Sequence, residues 1–236
     1  MEYCEFKDIL HNKALQFQID LEEPELLNFY NYMELLIEWN KKINLTAIIE
    51  PEEIIEKHFI DSLSINKYIK EGDKMLDIGT GAGFPGIPLK ISNKDLDITL
   101  IDSLNKRINF LNTVINNMKL KNISAIHSRA EDFKEREMYD IVTSRAVSRL
   151  NVLLEYMLPF VKVGGICICM KSAEIEEEIK EAKSAINILG GRIEKIDEIC
   201  LKDSDIKRKI VIIRKIKKTP KKYPRKPGTP KKEPIM

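Results

Sequence analysis

The chain has 236 residues, 39 of them basic and 37 acidic, for a formal net charge of +2, with 43% apolar and 32% charged residues. This composition excludes a wholly disordered or fibrous chain, and the length fits one large domain or one domain with a small extension. No apolar run approaches the ~18 residues that a membrane-spanning helix needs, and Met1–Leu10 lacks a signal-peptide pattern.

The first sixty residues read as helices. Leu26, Tyr30, Met33 and Ile37 recur at helical spacing behind Pro24, and Pro51-Glu52-Glu53 marks a second start with acids at the positive end of the helix dipole. From Lys74 the texture changes to short apolar runs separated by amphipathic segments. The runs are Met75–Ile78, Ile98–Ile101, Ile123–Ile126, Tyr139–Thr143, Gly165–Met170, Ile193–Ile199 and Ile210–Ile213. Between them, Ile108, Leu111, Ile115 and Met118 make one helical stripe, and Ile175, Ile179, Ala182, Ile186 and Leu189 another. Strand–helix alternation implies right-handed crossovers and a mostly parallel sheet covered on both faces. The pattern predicts five strand–helix units and two closing strands. The connection from Cys200 to Arg208 is too short for a crossover helix, so the last two strands should be antiparallel. The expected division is a helical extension over 1–60, an α/β domain over 61–215 and a basic, Pro-rich tail over 216–236.

The charge is unevenly spread. From Lys207 onward there are thirteen Lys/Arg and one acid, and the first 206 residues hold 26 bases against 36 acids. Cys4, Cys167, Cys169 and Cys200 form no C-x-x-C pair, so neither a disulfide framework nor a cysteine zinc site is expected, and a reducing cytoplasm is the expected setting. The three scattered histidines add no metal spacing, and no metal is expected.

Asp77-Ile78-Gly79-Thr80-Gly81-Ala82-Gly83-Phe84-Pro85-Gly86 follows the first strand and opens a helix. Glycines let the backbone turn tightly there and let a cofactor lie against it. Gly81, Gly83 and Gly86 also satisfy the dinucleotide fingerprint, so a nicotinamide cofactor remains an alternative. Asp77 argues against it: a fixed negative charge at the strand end opposes pyrophosphate and favours a cationic ligand. S-adenosylmethionine carries an ammonium and a sulfonium and no phosphate. Asp102 ends the second strand, where a carboxylate can accept from both ribose hydroxyls.

Asp77–Pro88 (DIGTGAGFPGIP) and Asp102–Leu111 (DSLNKRINFL) closely resemble the ribosomal small-subunit methyltransferase G family, also called glucose-inhibited division protein B. The resemblance continues in Trp39–Ile48, His58–Leu63, Ser128–Glu131 and Ser144–Val147, and ends in Lys221–Pro234. One departure is visible: Lys171-Ser172 stands where Lys-Gly is expected, and Ser172 there would suit a helix N-cap. The resemblance implies a class I, Rossmann-like, S-adenosylmethionine-dependent methyltransferase with a seven-stranded sheet and an N-terminal helical extension. Its implied reaction is methylation of N7 of guanine at nucleotide 527 of 16S ribosomal RNA. Carried over residue by residue, cofactor contacts fall on Gly79, Phe84, Ala130, Glu131 and Arg145. Asp77, Gly81, Gly83, Asp102 and its neighbour Ser103 join them from the turn and the second strand.

The residues suit such chemistry. A pyrimidine C5 acceptor would need a covalent cysteine, but Cys167 and Cys169 alternate with Ile166, Ile168 and Met170 and read as core. Guanine N7 presents a free lone pair and needs no base, so positioning and electrostatics should carry the rate. Arg145, just past the fourth strand, is the expected catalytic residue; its fork could grip a phosphate or carboxylate or pair with guanine O6. Trp39, Asn44, Arg149, Lys171 and Arg225 are the expected substrate contacts, with Asn40 and Thr46 further candidates for shaping the acceptor pocket. His58 and Asp61, three apart on one helical face, are expected to hydrogen-bond each other. The expected partner is 16S RNA or a small-subunit assembly intermediate, met by a monomer with no membrane contact. The alternatives are a same-fold methyltransferase acting on a small molecule or protein, and a non-enzymatic RNA-binding module. The tail should supply much of the phosphate attraction and pack in part on the domain beside the cleft.

Overall fold

The computed structural model of the chain describes residues 1–145, 148–200 and 207–236. Ala146 and Val147 of the Ser144–Val147 block, and residues 201–206 before the last strand, lie outside the described residues.

Strands β1 (Lys74–Ile78), β2 (Asp97–Asp102), β3 (Ile123–His127), β4 (Tyr139–Arg145), β5 (Val161–Ser172), β6 (Gly191–Cys200) and β7 (Lys207–Lys215) form one sheet in the order β3-β2-β1-β4-β5-β7-β6. The first five run parallel, and β7 is antiparallel to both β5 and β6, as the short last connection requires. The order reverses between β1 and β4, and in such sheets ligands bind at the carboxyl ends of the strands flanking that point.

Because strand side chains alternate between faces, each β-run supplies two cores. Ile141, Ile166, Ile168, Met170, Ile210 and Ile212 share one cluster with Phe6, Phe29, Tyr32 and Met33 of the N-terminal helices α1 (Tyr3–Leu15) and α2 (Glu23–Ile43). Val142, Cys167, Cys169, Val211 and Ile213 face the other way, against α7 (Leu150–Met157) and α8 (Glu176–Leu189). The N-terminal helices thus complete one face of the sheet and share its core. Helix α2 starts on Glu23-Pro24 with a capping box between Glu22 and Glu25, which satisfies its first amides. It ends at Asn44, whose left-handed φ of 47° turns the chain toward α3 (Pro51–Ile54). A wider π-helical turn, Ile55–Ile60, then leads into α4 (Asp61–Leu63).

Helices α5 (Gly86–Ser92) and α6 (Asn105–Asn117) make the first two crossovers. The third differs from expectation: between β3 and β4 stands only a 3₁₀ turn, Ala130–Asp132. Phe133, on this connection, packs its ring against Tyr139 and Phe160, while charged residues around it read as a surface loop. Ser172 is also not a cap; it is the last residue of β5, and α8 begins at Glu176. The tail lies on the second face. Tyr223 and Ile235 join that core, Thr219 Oγ1 donates to Leu189 O, and a short helix, α9 (Thr229–Lys232), sits near the end. Among the described residues, no helix is long and apolar enough to cross a membrane.

Candidate active site

The loop after β1 is fastened to β2 by its own backbone: Gly79 N and Thr80 N both donate to Ile101 O, at 2.9 and 3.1 Å. The turn needs left-handed backbone at Gly79, Gly81 and Gly83, with φ of 66°, 64° and 102°. At Gly83 a second constraint applies, since a Cβ would lie 2.6 Å from Ile87 Cδ1 and 2.8 Å from Tyr32 Oη. Tyr32, fully buried on α2, donates its hydroxyl to Ala82 O, so the N-terminal helices grip the loop directly.

Asp77 is fully buried beneath this turn. Its Oδ2 accepts from Thr80 Oγ1 at 2.7 Å and Gly86 N at 3.0 Å, while Oδ1 is buried with no partner. Burial pushes its carboxyl up to about 7, against the pull of the Thr80 and Gly86 bonds and of Arg145. Asp102, almost as buried, accepts from Gly81 N at 3.0 Å, Leu104 N at 2.9 Å and the Arg107 guanidinium at 3.1 Å.

Two adjoining hollows share Gly79, Asp102 and Ser103 at the carboxyl edge of the sheet. One, of about 200 Å³, is walled by Ile101, Ala130, Glu131 and Tyr156. The other, of about 440 Å³, is walled by Thr46, His58, Gly81, Phe84, Arg107 and Arg145. The structure therefore brings together Gly79, Gly81, Phe84, Asp102, Ser103, Ala130, Glu131 and Arg145. Asp77 and Gly83 support the turn from behind.

Arg145 is held from the N-terminal segment. Its Nη1 donates to Lys57 O and to Asp61 Oδ2, both at 3.0 Å, and its Nη2 donates to His58 Nδ1 at 3.1 Å. Its guanidinium lies 4.9 Å from the centre of the Phe84 ring, which also stacks on His58 at 4.4 Å. A guanidinium only donates, so Nδ1 of His58 is the acceptor and Nε2 carries the proton, given to Thr46 Oγ1 at 2.8 Å. Burial and the Arg145 charge push the His58 imidazole down to about 3, so it stays neutral. His58 and Asp61 do not bond each other as expected; both bond Arg145.

None of the expected substrate contacts lines either hollow. Trp39 is half-buried with its ring 5.7 Å from Phe110, and Asn44 is the exposed C-cap of α2. Arg149 pairs with Glu181 at 2.9 Å, and the largely buried Lys171 pairs with Glu178 at 2.7 Å and donates to Ser148 O. Arg225 sits on Glu155, 1% exposed, through Nε and Nη2, which docks the tail. The tail reaches the cleft through a different residue: Gly228 N donates to Glu131 Oε1 at 3.2 Å. Burial raises both core thiols, that of Cys169 to about 12, so neither is a nucleophile at neutral pH. Sequence reasoning missed Tyr32, Tyr156 and Arg107. Arg107 alone carried a local signal, one helical turn beyond Asp102.

A sequence model described as rRNA small subunit methyltransferase G matches residues 25–211. The chain belongs to this family. The Ribosomal RNA small subunit methyltransferase G of Clostridium botulinum (strain Loch Maree / Type A3) is 52% identical over 237 residues, spanning 98% of this chain and 99% of its own. Among solved structures, a SAM-dependent methyltransferase from Aquifex aeolicus superposes with a TM-score of 0.54 at 20% identity, covering 75% of this chain and 97% of that one. M. jannaschii TYW2, solved in complex with AdoMet, gives 0.53 at 19% identity, covering 65% of this chain and 74% of that one. These likenesses establish the class I methyltransferase fold, whose methyl donor is S-adenosylmethionine. The cleft fits that donor: a buried carboxylate oxygen without a partner lies beneath a positive-φ glycine turn, and the carboxylates Asp102 and Glu131 wall the two hollows.

Proposed function

We propose that the protein methylates small-subunit ribosomal RNA at N7 of the guanine at nucleotide 527 of 16S RNA, as a soluble cytoplasmic enzyme. The observation that carries the N7 assignment is the absence, among the described residues of the acceptor hollow, of a group able to take a proton. His58 spends both ring nitrogens on Arg145 and Thr46, and the thiols of Cys167 and Cys169 are buried in the second core. Asp102 is engaged by two amides and Arg107. Guanine N7 offers its lone pair without deprotonation, so the site's task reduces to alignment and charge.

S-adenosylmethionine supplies the electrophilic methyl group. Glu131 and the Ala130 backbone would receive the adenine, Asp102 the ribose hydroxyls, and the Gly79–Gly81 turn the chain between them. Asp77, beneath the turn, supplies negative potential that favours a sulfonium. Arg145 has three of its five N–H donors committed to Lys57, Asp61 and His58, which leaves two for the cofactor carboxylate or the guanine edge. Its rigid mounting matters because a fork that need not reorganise loses little on meeting the reacting groups.

The test is transfer of tritium from labelled cofactor into small-subunit RNA and particles, followed by nucleoside mapping. The expected product is a single 7-methylguanosine at nucleotide 527. Label confined to protein or small molecules, or on another atom or base, would refute the assignment.

A further inference from the structure

Strand periodicity places a second arginine beside the first. On β4, Ile141, Thr143 and Arg145 share one face; on β5 it is Ile168, Met170 and Ser172; on β7 it is Ile212, Ile210 and, opposite Ser172, Arg208. That is the face covered by the N-terminal helices. Asp61 of α4, 1% exposed, meets both guanidiniums there: Oδ2 takes Arg145 Nη1 at 3.0 Å, and Oδ1 takes Arg208 Nε at 2.9 Å. One buried carboxylate therefore seats two cations, and its neighbour His58 is neutral, so the cluster keeps an excess positive charge. The Arg208 side chain is 29% exposed. Beyond Asp61 its only other bond among the described residues runs from Nη1 to Lys207 O at 3.5 Å, leaving three N–H donors.

Satisfying the second oxygen of the buried Asp61 takes only Nε of Arg208, and three further donors of that guanidinium stay unpaired among the described residues. We infer that Arg208 is the outer arm of an anion clamp, hinged on Asp61, that grips a backbone phosphate of the acceptor RNA while Arg145 serves the cleft. Asp61 is the positioning residue for both arms. The inference rests on the RNA methyltransferase reading above and names a contact which that reading does not contain. Arginine suits the task because its planar fork matches phosphate, and a clamp built on a rigid carboxylate loses little side-chain freedom on binding.

The test uses the full chain and a fluorescein-labelled RNA stem-loop carrying the nucleotide-527 segment, with affinity followed by anisotropy across a salt series. Cofactor affinity is measured in parallel by calorimetry with S-adenosylmethionine. Arg208→Ala is expected to weaken RNA binding about tenfold and to flatten log affinity against log salt by about one, as loss of one phosphate contact requires. Cofactor affinity should stay within about twofold, and Arg208→Lys should recover the slope. Unchanged RNA affinity and slope, with only a lower melting temperature, would make the pair purely structural and overturn the inference. Loss of cofactor affinity with RNA binding intact would assign the anion to the cofactor carboxylate and overturn it equally. Failure of the wild-type chain to bind both the stem-loop and small-subunit particles would instead bring down the RNA methyltransferase reading, and the clamp with it; binding to particles alone moves the same Arg208→Ala comparison onto them.

Discussion

In the proposed site, the buried carboxylate of Asp77 would tie cofactor binding to pH. Its folded pKa of about 7 stands above the ordinary carboxylate value of 3.8 because burial penalises the charged form. The folded chain therefore holds this proton at pH values where the unfolded chain has released it. The resulting stability is complete below about 4 and is lost as pH rises toward 7. A cationic ligand reverses the preference, since it favours the ionised form, so cofactor affinity should climb as pH rises through about 7. For Asp77→Asn we expect a melting temperature that no longer falls over this range, and cofactor binding at least about tenfold weaker at pH 8. Melting curves and calorimetry between pH 5 and 8 check both, and an unchanged pH profile of affinity in the variant would remove Asp77 from this role. Asp77, the glycines and Asp102 were legible because they sit in contiguous sequence at fixed distances along two strands. The setting of Arg145 was not: Asp61 lies 84 residues away from it and 147 from Arg208, and only the sheet register brings the three together.

At the scale of elements, the N-terminal helices do more than cover apolar strands. Helix α2 supplies Tyr32 to the glycine loop, and the π-helical turn offers Lys57 O and His58 to Arg145. A π turn often marks a functional site; here it sets two successive residues against one guanidinium. Tyr32→Phe leaves the ring in place and strands Ala82 O without its donor. We expect a loss of about 1 kcal/mol, read as a melting temperature lower by about 2–4 °C. Cofactor affinity should weaken severalfold as the loop loosens; unaltered cofactor binding would confine Tyr32 to the core. The strands, their antiparallel close and the helix starts at Pro24 and Pro51 followed from periodicity and capping chemistry. The third crossover did not, because a connection with one anchoring aromatic, Phe133, leaves no helical stripe to read. Arg149, Lys171 and Arg225 looked like free cations because their carboxylates, Glu181, Glu178 and Glu155, are tertiary neighbours.

The whole molecule carries an acidic body and a basic end, and the structure shows the end docked. The seven lysines between Lys217 and Lys232 are all exposed, and none makes an ion pair among the described residues, while Tyr223, Thr219 and Ile235 anchor the segment between them. Deleting the tail would thus remove core as well as charge. The cleaner experiment replaces Lys221, Lys222 and Lys226 with Gln, which should flatten the salt dependence of RNA binding by about two to three without lowering the melting temperature. An unchanged slope would separate the tail from RNA attraction. One bond gives this docking a wider reach. The Gly228 amide holds Oε1 of Glu131, a wall of the cleft, and Oε2 accepts no hydrogen bond among the described residues. Any free energy that cofactor binding gains from the way the tail holds Glu131 must return to the tail as tighter docking, since linkage is reciprocal. The last residues of the chain and the Glu131 wall of the cleft are then thermodynamically coupled, so whatever fills that wall also steadies the segment that carries the exposed lysines.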